Sequence, residues 1–231
     1  MLIENISQNV FFGIALTLLA YNIALLIKDV TKLAIFNPLL ISILITLAIT
    51  LSLDIKIESY MNGGYYISNL LTPTTVCLAI PLYENLVILK HYWKGIIIGV
   101  LMGVISSALT ILPLVILFGM SKEDYVTLLP KSITGAFGMG ASQELGGIVP
   151  VTVIIIIITG IFGSMVNDHI FKLFKITHPV AKGVSLGASS HAMGTSKAFE
   201  IGATEGAISS ISLIITGILT VVSISYFAGL Y

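Results

Sequence analysis

The chain has 231 residues, of which 56% are hydrophobic and 10% charged, against about 25% charged in an ordinary soluble domain. Such a chain cannot supply a polar exterior, so the composition excludes a water-soluble fold and points to lipid as the solvent. Eleven acidic residues balance eleven basic ones, all of them lysine, and the only cysteine is Cys77; a nucleic-acid patch, an intrachain disulfide and a cysteine metal centre are excluded.

A helix crosses the hydrocarbon in about 20 residues, and eight candidate segments follow in chain order. The first, 10–27, has no basic leader and no small-residue cleavage site, so a retained span is expected. The second, 38–53, is short. Asn62-Gly63-Gly64 reads as a tight turn before the third, 65–89, which is interrupted at Thr72-Pro73-Thr74. The fourth is 95–118. The fifth, 125–139, is weak and reads as either a span or a re-entrant segment. The sixth, 149–166, is the cleanest. The seventh, 180–199, is rich in small and polar residues, and the eighth is 207–228. The expected fold is all-α: a polytopic transmembrane bundle of about seven or eight segments, forming one domain over 1–231.

Interrupted spans at matching positions point to a transporter's binding site. With a shift of 116 residues, 75–84 lies over 191–200, and both stretches end in an aromatic residue and a glutamate. This arrangement reads as an internal two-fold repeat with halves 1–118 and 119–231. The alternative is chance alignment of two apolar helices. Lysines divide five against six between the two sides, so the positive-inside rule does not orient the chain. The cluster Lys172, Lys175 and Lys182 is the densest, and its loop is expected in the cytoplasm.

Three polar clusters are candidate sites. In the seventh segment lie Ser189, Ser190, His191, Gly194, Thr195 and Lys197, followed by Glu200. Ionisable groups within a membrane mark substrate or ion paths, and a histidine titrates near neutral pH. His191 and Glu200 are therefore the proton-coupling candidates. The alternative is a close-packing face of small residues. In the third segment Thr72, Thr74 and Thr75 flank Pro73, and Thr74 is placed to cap the following half-helix. Free N–H groups there would attract an anion, a useful device in a chain without arginine. The third cluster centres on Lys131, which either faces the same cavity or snorkels to a headgroup. The chain lacks G-x-S-x-G, H-E-x-x-H and P-loop patterns, so neither an enzyme nor an ATP-driven pump is expected. No metal and no cofactor are expected.

The block Ala188-Ser-Ser-His191-Ala-Met-Gly194-Thr195-Ser-Lys197-Ala-Phe-Glu200, followed by Glu205-Gly206-Ala207-Ile-Ser209-Ser210, resembles the LrgB/CidB family of membrane proteins. So do Asn37-Pro38, Gly63-Gly64, Thr72-Pro73-Thr74-Thr75-Val76, Ala79-Ile80-Pro81-Leu82-Tyr83, Leu129-Pro130-Lys131-Ser132 and Gly146-Gly147. Members often carry a Thr-Pro pair near Gly135-Ala136, which this chain lacks. The resemblance implies a multi-pass protein of the cell membrane. It implies two functions: a holin- or antiholin-like control of murein hydrolase activity and autolysis, or the transport of small monocarboxylates such as pyruvate, glycolate or glycerate. Of these, the broken helices favour transport, with His191 coupling a proton. A passive packing subunit is a third reading. The expected partners are a small organic anion, membrane lipid, an LrgA/CidA-type small membrane protein and further copies of the chain.

Overall fold

The computed structural model describes residues 7–31, 36–77 and 79–231; the side chains of 71, 72, 75, 79, 81 and 82 also lie outside the description. All regular structure among the described residues is helical. The chain divides into two compact units, Met1–Cys77 and Leu78–Tyr231.

The first unit holds α1 (Val10–Thr31), α2 (Pro38–Ser52), α3 (Ile57–Asn69) and α4 (Leu71–Cys77). Asn37 starts α2 by accepting from the backbone N–H of Leu39, with Pro38 in the first turn, where its missing N–H costs nothing. The tight turn expected at Asn62-Gly63-Gly64 is absent: these residues lie inside α3. Their glycines serve packing. A Cβ on Gly63 would lie 2.9 Å from the Cα of Gly13 and 2.8 Å from the backbone nitrogen of Ile14, so the two backbones meet where neither carries a side chain. Small residues are how helices approach in lipid, where no hydrophobic force drives them together. Beside this crossing the Thr17 and Tyr60 hydroxyls share a hydrogen bond of 2.8 Å.

The second unit holds α5 (Ala79–Glu84), α6 (Leu86–Leu117), α7 (Lys122–Leu128), α8 (Gly135–Glu144), α9 (Val149–Leu173), α10 (Pro179–Ile201) and α11 (Ala203–Ala228). The described residues of the third sequence segment fall in α3, α4, α5 and the start of α6. Four described helices are long and apolar enough to cross a membrane, namely α1, α6, α9 and α11. Their outer faces carry exposed Phe11, Ile98, Ile154, Phe162 and Val222, as expected where lipid replaces water.

The stretch 125–139 does not span. Helices α7 and α8 have seven and ten residues, about 10 and 15 Å at 1.5 Å per residue, against about 30 Å of hydrocarbon. They form a hairpin that leaves the end of α6 and returns to the start of α9. At its base, Ser121 and Asp124 form a capping box, whose hydrogen bonds hold the exposed Asp124 carboxyl below its ordinary value. Tyr125 packs with Val115 and Ala228 and donates to the carbonyl of Phe227 at 2.9 Å. Further in, Gly138 packs against Ile156, Phe137 covers Gly217, and Ser132 meets Ser107 at 3.3 Å. Ser107 lies ten residues before the end of α6, about 15 Å along its axis, so the turn of the hairpin reaches well into the bundle. The two arms are tied by Thr152, whose hydroxyl lies 3.0 Å from the Thr127 carbonyl and 2.7 Å from Ser142 Oγ.

Gly63→Leu is expected to force α1 and α3 apart, at about 1–3 kcal/mol for overpacking. Thermal unfolding of the purified protein in detergent would show this as a lower midpoint, while Gly64→Leu, whose site faces only Met61 and Tyr60 side chains, would shift it less.

Candidate functional site

Helix α10 sits between three neighbours, each of which approaches where a side chain is missing. Val184 and Ala188 pack on Gly99 and Gly103 of α6; Gly183 and Gly187 pack on Ile208 and Ser212 of α11; Ser190 and His191 fill the space above Gly163 and Gly160 of α9. The order of these contacts fixes direction. Positions 183 and 187 meet 208 and 212, so the first part of α10 runs parallel to α11.

The chain must therefore reverse between 190 and 203, and it does so at His191. This residue has φ 41° and ψ −132° inside the helix, a conformation sparsely allowed for any side-chain-bearing residue and costing about 1–3 kcal/mol. Beyond it the chain folds back. A Cβ on Gly194 would meet the Leu186 carbonyl carbon at 2.9 Å, although eight residues of straight helix span about 12 Å. Leu186 and Ala198 likewise share one buried cluster with Phe171. The seventh segment is thus a second re-entrant hairpin, with arms 179–190 and 192–201, and not a kinked span.

The strained turn is held by buried hydrogen bonds. His191 is 4% exposed, and its Nε2 lies 3.0 Å from the Ile156 carbonyl; a carbonyl only accepts, so Nε2 carries the proton. Thr195 donates to the His191 carbonyl at 3.0 Å and shares a hydrogen bond of 2.9 Å with Ser209. Lys197 reaches across to Asp168 of α9 at 3.1 Å and to Glu200 at 3.5 Å. Asp168 carries no sequence signal beyond being an acid near the end of an apolar segment, and only the fold reveals it as the partner of Lys197.

Between α6, α9 and the two hairpins lies an open cleft of about 910 Å³. Lys131 and Ser132 enter it from the first hairpin, Ser189 and Ser190 from the second, and Ser106, Ser107 and Thr110 from α6. His191, Gly194, Thr195 and Lys197 are not in its lining; they back the second hairpin. The cleft thus gathers three of the sequence candidates, Lys131, Ser189 and Ser190, and adds the α6 hydroxyls. The repeat of small residues at 95, 99, 103 and 107 could have marked that face, because a four-residue step keeps one side of a helix. Thr74 lies in the other unit, within α4, where its hydroxyl donates to the Leu70 carbonyl at 2.7 Å; the side chains of Thr72 and Thr75 lie outside the described residues. Among the described residues no cluster of histidine, cysteine, aspartate and glutamate is placed to hold a metal.

The LrgB-like family model matches residues 17–230. This chain belongs to the LrgB-like family. Holin-like protein CidB of Staphylococcus epidermidis is 38% identical to it over 211 residues, 91% of this chain and 92% of that protein. Holin-like protein CidB of Staphylococcus aureus matches with the same identity and coverage. No solved structure matches. The chain is a multi-pass protein of the cell membrane.

Two outcomes check this geometry. Gly163→Val is expected to collide with Ser190 and open the second hairpin, lowering the thermal midpoint and raising proteolysis near 190, whereas Gly140→Val, with open space at its Cβ, would do neither. A double-mutant cycle with Lys197→Met and Asp168→Asn should give a coupling of about 0.2–1 kcal/mol, the range of partly exposed pairs; a larger value would mean that the pair is desolvated in the membrane.

Proposed function

We propose that this LrgB-like protein is a holin-like regulator that, with an LrgA/CidA-type partner, governs murein hydrolase activity and autolysis. The observation that carries this reading is the 38% identity to proteins named holin-like CidB across 92% of their length, which leaves little of those relatives outside the match. The exposed apolar faces of α1, α6 and α9 suit assembly with a partner or with further copies.

A second reading is favoured by one observation, the cleft between the two hairpins. In it the chain is a facilitator for a small monocarboxylate, with His191 coupling a proton and the paired interrupted segments 75–84 and 191–200 related by an internal repeat. Backbone that reverses at depth, buried in protein and next to a cleft, is the arrangement that substrate sites use.

One pair of measurements separates the readings. Expression in a murein-bearing bacterium lacking its own relatives should change the rate of induced autolysis and the zymogram of murein hydrolases. Proteoliposomes of the purified chain should be assayed for labelled pyruvate uptake with and without a pH gradient. Altered autolysis with no uptake, alone or with the partner, supports the regulator; saturable, gradient-dependent uptake supports transport.

A further inference from the structure

Where the chain reverses decides at which end of the second unit each lysine lies. Val184 and Ala188 meet Gly99 and Gly103, and Gly183 and Gly187 meet Ile208 and Ser212, so α6, the first arm of α10 and α11 run in one direction. Ser190 packs on Gly163 while Leu186 packs with Phe171, so α9 runs against them. The starts of α6, α10 and α11 and the end of α9 therefore share one end of the unit. The second hairpin returns to it, because Lys197 reaches Asp168 at 3.1 Å. Lysines 90, 94, 172, 175, 182 and 197 all stand there; Lys131 lies at depth, and only Lys122 is at the opposite end. The near-even division of lysines over eight straight spans disappears once two of those segments are hairpins.

The side chains at this end suit a charged surface. Lys90, Lys94, Lys172 and Lys175 are exposed and Lys182 is half-buried; among the described residues none of the five is in an ion pair. The acids here are Glu84, Asp168, Glu200 and Glu205, and Asp168 and Glu200 hold Lys197. The opposite end sets Lys122 against Glu123, Asp124 and Glu144. Aromatic rings accompany the lysines. Trp93 is 55% exposed, with Lys94 at 5.8 Å from its ring, and Lys182 lies 5.9 Å from the ring of Phe171. Tryptophan is a residue of the headgroup level. Helix α6 has the length to reach it: its 32 residues span about 48 Å, against about 30 Å of hydrocarbon. The charges at 90 and 94 put the surplus at this end.

We propose that this end of the second unit is its cytoplasmic end and docks on anionic lipid headgroups through Lys90, Lys94, Lys172, Lys175 and Lys182. Lysine-rich ends of membrane helices stay on the cytoplasmic side, and each lysine near an anionic surface favours contact by about fivefold. Trp93 anchors the same face at headgroup level. The opposite end, with Lys122, Glu123 and Asp124 at the start of α7, faces outward. The assignment rests on neither functional reading, since both place the chain in the cell membrane.

Two measurements test it, and failure of either overturns it. Trp93 is the only tryptophan of the chain, so intrinsic fluorescence reports this end alone. The full chain is reconstituted in phosphatidylcholine bilayers in which part of the lipid is brominated phosphatidylglycerol or brominated phosphatidylcholine. Phosphatidylglycerol is expected to occupy the sites around Trp93 about fivefold more tightly, the effect of one lysine. Lys90→Gln with Lys94→Gln should bring the two lipids towards equality, and Lys122→Gln should leave the preference unchanged. Equal quenching by both lipids in the parent overturns the proposal, as does a preference that the double variant retains in full. Should the double variant fail to fold, about 1 M salt, which cuts the screening length to about 3 Å, takes its place: the parent's preference should weaken, and a salt-independent preference overturns the docking. Orientation is read in cells, with Cys77→Ser as the background. Thr177 and Glu123 are exposed at the two ends. Thr177→Cys should react with a membrane-impermeant maleimide only after permeabilisation, and Glu123→Cys before it. Labelling of Thr177→Cys in intact cells overturns the assignment, as does protection of Glu123→Cys there.

Discussion

In hydrocarbon a backbone N–H or C=O has no water to turn to, so a helix that stops at depth must bury its loose ends in protein. The second unit stops two helices at depth, near 131 and at His191, and the rest of its architecture follows from covering those turns. Glycines at 160 and 163 of α9 let that helix close over His191 and Ser190. The Ile156 carbonyl and the hydroxyls of Thr195 and Ser209 take up the polar atoms there. Around the other turn, Ser107 and Lys131 meet Ser132, while Gly138 and Gly217 let α9 and α11 come close. Among the described residues no buried side-chain nitrogen or oxygen is left without a partner, so the cover is complete at that level.

The same economy explains where the polar residues go. Thr152, Ser164, Asn167, Ser209, Ser210, Ser212 and Thr216 are buried, and most of their side chains donate to a carbonyl one turn back in their own helix. A hydroxyl used in this way costs little in lipid and leaves a small surface against which another helix packs. Thr152 and Ser209 bond to other helices instead, and two further groups depart from the pattern more strongly. His191 spends its side chain on another helix to hold a strained turn, and Lys131 faces a cleft with only a neighbouring hydroxyl. Strain and an unbalanced charge are both expensive, and they lie on the two hairpins that frame one cleft.

Much of this was legible from residue types. The helical class and the apolar spans follow from composition and from run length. The seventh segment stood out because serine, histidine and lysine fall where leucine and isoleucine would serve a plain span. Its reversal was not legible, because a bent helix and a folded-back one have the same composition; the distinction rests on which residues touch, Leu186 with Gly194 and Ala198. The Gly63-Gly64 pair misled for a related reason. Glycine marks a turn or a close crossing, and only the presence of Gly13 on the facing helix decides between them.

Sequence alone therefore determined the solvent of this protein, its helical class, its family motifs and the polar residues that have to be accounted for inside a membrane. Each of these depends on composition or on spacing within one segment. The tertiary structure alone decided that 125–139 and 180–199 are hairpins and not spans, that Lys197 is neutralised by Asp168 while Lys131 faces a cleft, and that His191 supports a turn from behind. Those outcomes depend on contacts between residues tens of positions apart, and an apolar helix carries the same local signal whichever neighbour it packs against.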